Sequence, residues 1–197
     1  MPEGFEARAR ANGFFAPAGV DEAGRGPLAG PVVAAAVILP EGYDHPAIRD
    51  SKALSPKARE RAFSIIVADA VAYAIAEASP QEIDTINILQ ASLLAMRRAV
   101  ERLSVVPDFL YVDGTFPVPF DLPQQPLVKG DARCRSVAAA SILAKVTRDA
   151  SMCAFDRLYP GYGFAAHKGY PTRDHYAAIG LLGPCPIHRR TFRGVVA

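Results

Sequence analysis

The chain has 197 residues, enough for one globular domain that buries about 70% of the surface its unfolded form exposes, so neither a disulfide nor a structural metal is needed to hold it. Half the residues are hydrophobic and 21% are charged, which excludes extensive disorder, while a net charge of +2 is too mild either to demonstrate or to exclude a nucleic-acid partner. Cys134, Cys153 and Cys185 have no Cys-x-x-Cys spacing and are expected to be reduced thiols. The N-terminus lacks a continuous apolar signal region and no apolar run is long enough to span a bilayer, so a cytoplasmic enzyme, expected to be a monomer, is the default.

In chain order, residues 1–16 read as a flexible leader and 17–197 as a single catalytic domain. Residues 17–22 read as an apolar strand ending in Asp21-Glu22, and the apolar run Val32 to Leu39, bounded by prolines, as a buried strand that forms a hairpin-like start with it. Ser55-Pro56 has the form of an N-cap and first helical position, opening a helix over about 56–67. Residues 70–77 alternate small with larger groups and suit a third strand. Ser79-Pro80-Gln81-Glu82 is a capping box, and Ile86, Leu89, Leu93, Met96, Val100 and Leu103 follow at alternating spacings of three and four, the strongest helical signal in the chain. Phe109 to Val112 reads as a buried strand delivering Asp113, and Pro126 to Val128 as a short one approaching Asp131. Ser136 is expected to cap a long Ala-rich helix to about Leu158, and Thr172 a short one over 173–180. This order of elements predicts an α/β domain with a mixed central β-sheet flanked by helices.

Asp21, Glu22, Asp113 and Asp131 each end an apolar run, which should bring them to one edge of the same core. Converging carboxylates repel unless cations neutralise them, and hard oxygen ligands select Mg²⁺ or Mn²⁺ over zinc. The four histidines show no spacing suited to zinc. Asp21 and Glu22 are adjacent on a strand and would point to opposite faces, so sharing a site requires the strand to end or twist there; Gly24-Arg25-Gly26 makes a break there reasonable. The two glycines would let a polyanion approach the backbone closely, and Arg25 would supply a forked donor for phosphate oxygens. A solvated acidic turn is the ordinary reading of an isolated Asp-Glu pair.

The run Gly19 to Pro31 resembles the N-terminal signature of the type 2 ribonucleases H, specifically the bacterial ribonuclease HII family. The resemblance continues in order through Asp50-Ser51-Lys52, Val112-Asp113-Gly114, Val128-Lys129-Gly130-Asp131, the segment Ala139 to Asp149, Lys168-Gly169-Tyr170 and Pro186 to Arg190. It implies a ribonuclease H-like fold and an endonuclease that cleaves the RNA strand of RNA/DNA hybrids and incises 5′ of single ribonucleotides in duplex DNA, leaving 5′-phosphate and 3′-hydroxyl ends. It also implies two divalent cations, Mg²⁺ or Mn²⁺, held by Asp21, Glu22 and Asp113 with Asp131 completing the site. Asp149, mid-helix after Arg148, is expected to pair with a nearby base instead.

For the nucleic acid, the resemblance implies that Gly24, Arg25 and Gly26 read the 2′-hydroxyl and that Tyr170 stacks on the next sugar; alone, Tyr170 would read as a half-buried core tyrosine. Ser141, Lys145 and Arg148 recur on one helix face and, in that context, are expected to contact phosphates alongside Lys52 and Asn87. His188, Arg189 and Arg190 read equally as backbone-binding charge or as a plain surface cluster. Thr115 stands where the family often carries Asn or Lys, so loop contacts there are expected to differ, and without the C-terminal extension of some relatives affinity should rest on the catalytic domain. Alternatives are a ribonuclease HIII, disfavoured by the short stretch before Asp21; a non-catalytic hybrid-binding module, disfavoured because no acid is missing; and another two-metal phosphotransferase or nuclease, disfavoured by the Gly-Arg-Gly and Lys-Gly-Tyr elements.

Overall fold

The structure, a computed structural model, describes residues 4–48 and 54–196. Its centre is a five-stranded sheet of β1 (Pro17–Ala23), β2 (Val32–Ile38), β3 (Ala72–Ala78), β4 (Phe109–Asp113) and β5 (Gln124–Leu127), in the order β3-β2-β1-β4-β5. β1 pairs antiparallel with β2 and parallel with β4, so the sheet changes from antiparallel to parallel at the strand that carries Asp21 and Glu22. The mixed sheet flanked by helices is the one expected from the sequence, with its five strands in the expected chain order.

β2 is buried along its whole length because both of its faces are covered. Ala34, Ala36 and Ile38 pack with Ala95, Met96, Ala99 and Val100 of α3 (Pro80–Glu101). On the other face, Val33, Ala35 and Val37 pack with Ile66 of α2 (Pro56–Asp69) and Ala139, Ile142 and Leu143 of α4 (Arg135–Leu158). The absence of a side chain at Gly19 of β1 lets α4 come close: a Cβ there would lie 2.1 Å from the Ser136 carbonyl carbon. The expected caps at Ser55, Ser79 and Thr172 are all made, each accepting an amide hydrogen bond in its first turn, and Thr172 opens α6 (Arg173–Leu182).

Three features depart from the sequence reading. The expected loose leader contains a helix, α1 (Phe5–Ala11), whose Phe5 ring meets Tyr111 edge-on at 5.4 Å and whose Phe5 carbonyl accepts from the Tyr111 hydroxyl at 2.7 Å. Ser136 does not cap α4; that helix starts at Arg135, and its first turn is satisfied by Glu6 of α1, which accepts from the Ser136 amide at 2.7 Å and hydroxyl at 2.9 Å. Burial pushes the Glu6 carboxyl up, but these hydrogen bonds outweigh it and hold it below its ordinary value. The periodic run across α3 is broken at Asn87, whose φ of 67° lies in the left-handed region; its Oδ1 accepts from the amides of Leu89 and Gln90 and restarts the helix as an internal cap. Periodicity registers which face is apolar and so passes over such a break. A short helix, α5 (Phe164–His167), precedes Lys168.

Candidate active site

The ladder between β1 and β4 ends at Val20 opposite Val112, so Asp21 and Asp113 are the next residues on two adjacent parallel strands. β1 does not end at Glu22, one of the two ways, ending or twisting, in which adjacent strand residues can share a site. It runs on to Ala23, paired with β2 alone, and turns at Gly24, where φ is 103°. Freed of β4 on one edge, Asp21 folds back so that its Oδ1 accepts the Glu22 amide at 2.7 Å. Asp113 Oδ1 accepts the Gly130 amide at 2.7 Å, which docks the 3-10 turn Gly130–Ala132 and with it the buried Asp131.

Asp21, Glu22 and Asp113 act on one another electrostatically. Burial first, then the charges of Glu22 and Asp113, push Asp21 well above the usual carboxylate range, against hydrogen bonds from the Ser141 hydroxyl and the Glu22 amide. Burial also raises Glu22, opposed by Arg25 and aided by Asp113. Glu22 Oε2 is buried and has no hydrogen-bond partner, the one such side-chain atom among the described residues. A buried carboxylate oxygen without a donor, beside the buried Asp21 and the partly buried Asp113, is what a hard cation would satisfy, so this donor set fits Mg²⁺ or Mn²⁺. Among the described residues no three acidic, His or Cys side chains are gathered closely enough to enclose an ion as they stand, so the carboxylates must draw together to do so.

The Gly24 to Pro31 loop leads from these acids to Tyr170. Arg25 is half-exposed and reaches Glu22 Oε1 at 3.5 Å. A Cβ at Gly26 would lie 3.7 Å from the Tyr170 ring, which is 41% exposed and has the Lys145 ammonium 5.9 Å from its centroid. Leu28 donates its amide to the Gly169 carbonyl at 2.8 Å, so the two loops are joined backbone to backbone.

Other expected phosphate contacts lie elsewhere. Ser141 is buried against Asp21. Arg148 is fully buried and donates to the carbonyls of Pro31, Lys168 and Ala29, each at 3.1 Å, which leaves its guanidinium facing backbone and not solvent. Lys145 keeps a partly exposed ammonium on Asp149 at 2.8 Å, so Asp149 pairs with a base as expected. Asn87 serves the break in α3. Lys52 lies outside the described residues. His188 and Arg189 are fully buried, contrary to either surface reading, and only Arg190 of that trio is exposed. Nothing in a run of basic residues distinguishes a buried arginine from an exposed one; the nearby run of loop carbonyls that needs donors is visible only in three dimensions.

The sequence profile of the ribonuclease HII family matches residues 18–195. A ribonuclease HII of Geobacter sulfurreducens is 59% identical over 191 residues, covering 97% of this chain and 88% of the relative. The chain belongs to the ribonuclease HII family. A ribonuclease HII is an endoribonuclease, and the acids at the end of β1 and β4 are therefore read as its candidate catalytic centre. The fold agrees: the crystal structure of a ribonuclease H2 from Pyrococcus horikoshii superposes with a TM-score of 0.77 at 30% identity, covering 92% of this chain and 95% of that one. A Bst-RNase HIII structure containing Mn²⁺ superposes with a TM-score of 0.65 at 21% identity, covering 99% of this chain and 72% of that one, and shares the fold. Among the described residues no helix is long and apolar enough to cross a membrane.

Proposed function

We propose that this ribonuclease HII hydrolyses the RNA strand of RNA/DNA hybrids and incises on the 5′ side of single ribonucleotides in duplex DNA, leaving 5′-phosphate and 3′-hydroxyl ends. The observation that carries the reading is the approach of Gly26, on the loop that follows Glu22, to the exposed Tyr170 ring, close enough that a Cβ at 26 would touch it, since it would join a ribose-sensing pair to the acids that precede the loop. A nuclease selective for RNA must sense the 2′-hydroxyl. The backbone at Gly26 is exposed and open to a sugar edge, Gly24 is buried against Arg148 and shapes the turn that presents it, and the exposed Tyr170 ring offers a flat apolar surface on which the following deoxyribose packs best.

Asp21, Glu22 and Asp113, with Asp131, would hold two divalent cations, which when bound supply an activated water and positive charge at the leaving oxygen of an in-line displacement. The Mn²⁺ in the HIII neighbour supports that choice of ion. Ser141 keeps Asp21 oriented, and among the described residues expected to meet phosphates Arg25 and Lys145 keep their cationic groups partly exposed.

The test is cleavage of a labelled DNA duplex carrying one ribonucleotide, with Mg²⁺, Mn²⁺ or EDTA, beside an all-DNA control. A cation-dependent cut 5′ of the ribonucleotide is expected. Cleavage confined to longer RNA tracts would refute the junction reading while keeping the acids, and silence on both substrates would refute hydrolysis.

A further inference from the structure

The segment Cys185 to Arg189 carries two fully buried polar side chains that the reaction outlined above does not use, and each leads to one of the two ribose-facing elements. Arg189 donates to the carbonyls of Gly24 at 2.6 Å, Pro27 at 2.7 Å, Gly30 at 2.9 Å, Arg25 at 3.1 Å and Pro31 at 3.2 Å. Among the described residues it makes no ion pair, so its fork is devoted to the loop backbone. Five acceptors in one short loop match the five donors of a guanidinium, and a lysine has only three. Beside it, Arg148 donates to Ala29 and Pro31 of that loop and to Lys168, next to the Gly169-Tyr170 pair.

His188 leads to the second element through a chain of hydrogen bonds whose direction is set by its ends. The Cys185 amide can only donate, and it lies 2.9 Å from His188 Nδ1; the Tyr170 carbonyl can only accept, and it lies 3.0 Å from His175 Nδ1. His188 Nδ1 also lies 3.3 Å from the Cys185 carbonyl, but the shorter amide contact favours it as acceptor, so that His188 carries its proton on Nε2 and donates it across 3.1 Å to His175 Nε2, which leaves His175 protonated at Nδ1 and donating to Tyr170. Either ring, if charged, would set two N–H groups against each other. Burial accordingly depresses both histidines, His188 to about 4. His175 is further fixed by stacking on His167 at 4.4 Å and by the Phe164 edge at 5.5 Å.

We infer that Cys185 to Arg189 is a positioning element that sets the Gly24-Arg25-Gly26 turn and the Tyr170 loop at one fixed separation, through Arg189 on one side and the His188-His175 relay on the other. Discrimination of a ribonucleotide junction then depends on residues that touch neither the cations nor the nucleic acid. The inference rests on the ribose-reading role proposed above for the turn and for Tyr170.

Arg189→Lys keeps the charge but cannot reach five carbonyls; His175→Phe keeps the ring stack but cuts the relay; His175→Gln can accept from His188 and donate to Tyr170, and so can rescue it. On the single-ribonucleotide duplex, kcat/KM should fall about tenfold or more for Arg189→Lys and His175→Phe, and by less than about threefold on a long RNA tract, because a misplacement of about 1 Å is felt most where one sugar must be selected. His175→Gln should retain wild-type selectivity. The Mn²⁺ concentration giving half-maximal rate should not move in any variant, since the acids are untouched. An equal loss on both substrates, a shifted Mn²⁺ dependence, or failure of both Arg189→Lys and His175→Phe to fold by circular dichroism would overturn the proposal, because the segment would then hold the fold and not the recognition geometry. A wild-type enzyme that ignores the single ribonucleotide would instead refute the underlying functional reading.

Discussion

Asp21→Asn should make the metal-free protein more stable while ending its activity. Asp21 is 4% exposed and sits on the strand next to the one bearing Asp113, with Glu22 following it in the chain. At the roughly 5 Å spacing of neighbouring strands and an effective dielectric of about 20, two carboxylates repel by about 3 kcal/mol. Glu22 adds to this, but any one of the three can escape by taking up a proton, so only part of the repulsion is borne at neutral pH. An asparagine keeps the shape, one acceptor for the Glu22 amide or the Ser141 hydroxyl, and no charge. The expected gain is about 2 kcal/mol, which for a domain of this size raises Tm by roughly 4–8 °C in EDTA. Melting curves with EDTA and with Mn²⁺ read both halves of the argument: the wild type should gain stability on adding Mn²⁺, and the variant should gain much less. A variant that melts lower than wild type in EDTA and responds equally to Mn²⁺ would refute the reading of these acids as a strained, cation-seeking set.

Asp113→Asn should abolish cleavage while leaving hybrid binding within about threefold of wild type, because it weakens the hold on cations and leaves the basic contacts in place; near-wild-type turnover in a single-turnover assay would sink the assignment. The metal-free wild type should lose stability as pH rises from the ordinary carboxylate range through the raised values of Asp21 and Glu22, since in that window the folded state binds more protons than the unfolded one; denaturant melts at a series of pH values check this, and Mn²⁺ should flatten the trend. Glu6 has the opposite sign: its lowered carboxyl contributes stability that is present above the unfolded value and lost as pH falls through the folded one. Glu6→Ala, which removes the acceptor at the start of α4, should lower stability by about 1–2 kcal/mol by urea denaturation, with kcat/KM on hybrid reduced only in proportion to unfolding.

The elements that were legible in the sequence are those whose burial leaves a period. β2 reads as a buried run because two helical layers cover it, and β3 alternates. Capping residues at Ser55, Ser79 and Thr172 declare themselves locally, within one turn of the backbone they satisfy. The acids at the end of β1 and β4 were legible because each terminates an apolar run. Three things were not. Glu6 satisfies the first turn of α4 at Ser136, 130 positions later, a long-range contact with no local trace. Asn87 interrupts a helix without disturbing its apolar face. Arg148 lies on the same helix face as Lys145, yet depth separates them: one faces carbonyls at zero exposure, the other keeps its ammonium partly in solvent. Spacing along a helix reports azimuth, and whether that side meets a loop or water depends on chain that returns from far away.

The close approach of α4 to Gly19 makes the acidic centre sensitive to mechanical load applied from behind it. A Cβ at Gly19 would be driven into the Ser136 backbone, and the small residues Ala34, Ala35 and Ala36 of the neighbouring strand leave the helical layers no slack. α4 moves as a rigid rod, and the hydroxyl that steadies Asp21 rides on it five residues from the point of contact. Enlarging a side chain in the middle of the sheet therefore prises Ser141 away from the carboxylate, since a close-packed interior passes strain on and does not absorb it. Selection on catalysis thus reaches down through the sheet, to positions that never meet water, metal or nucleic acid.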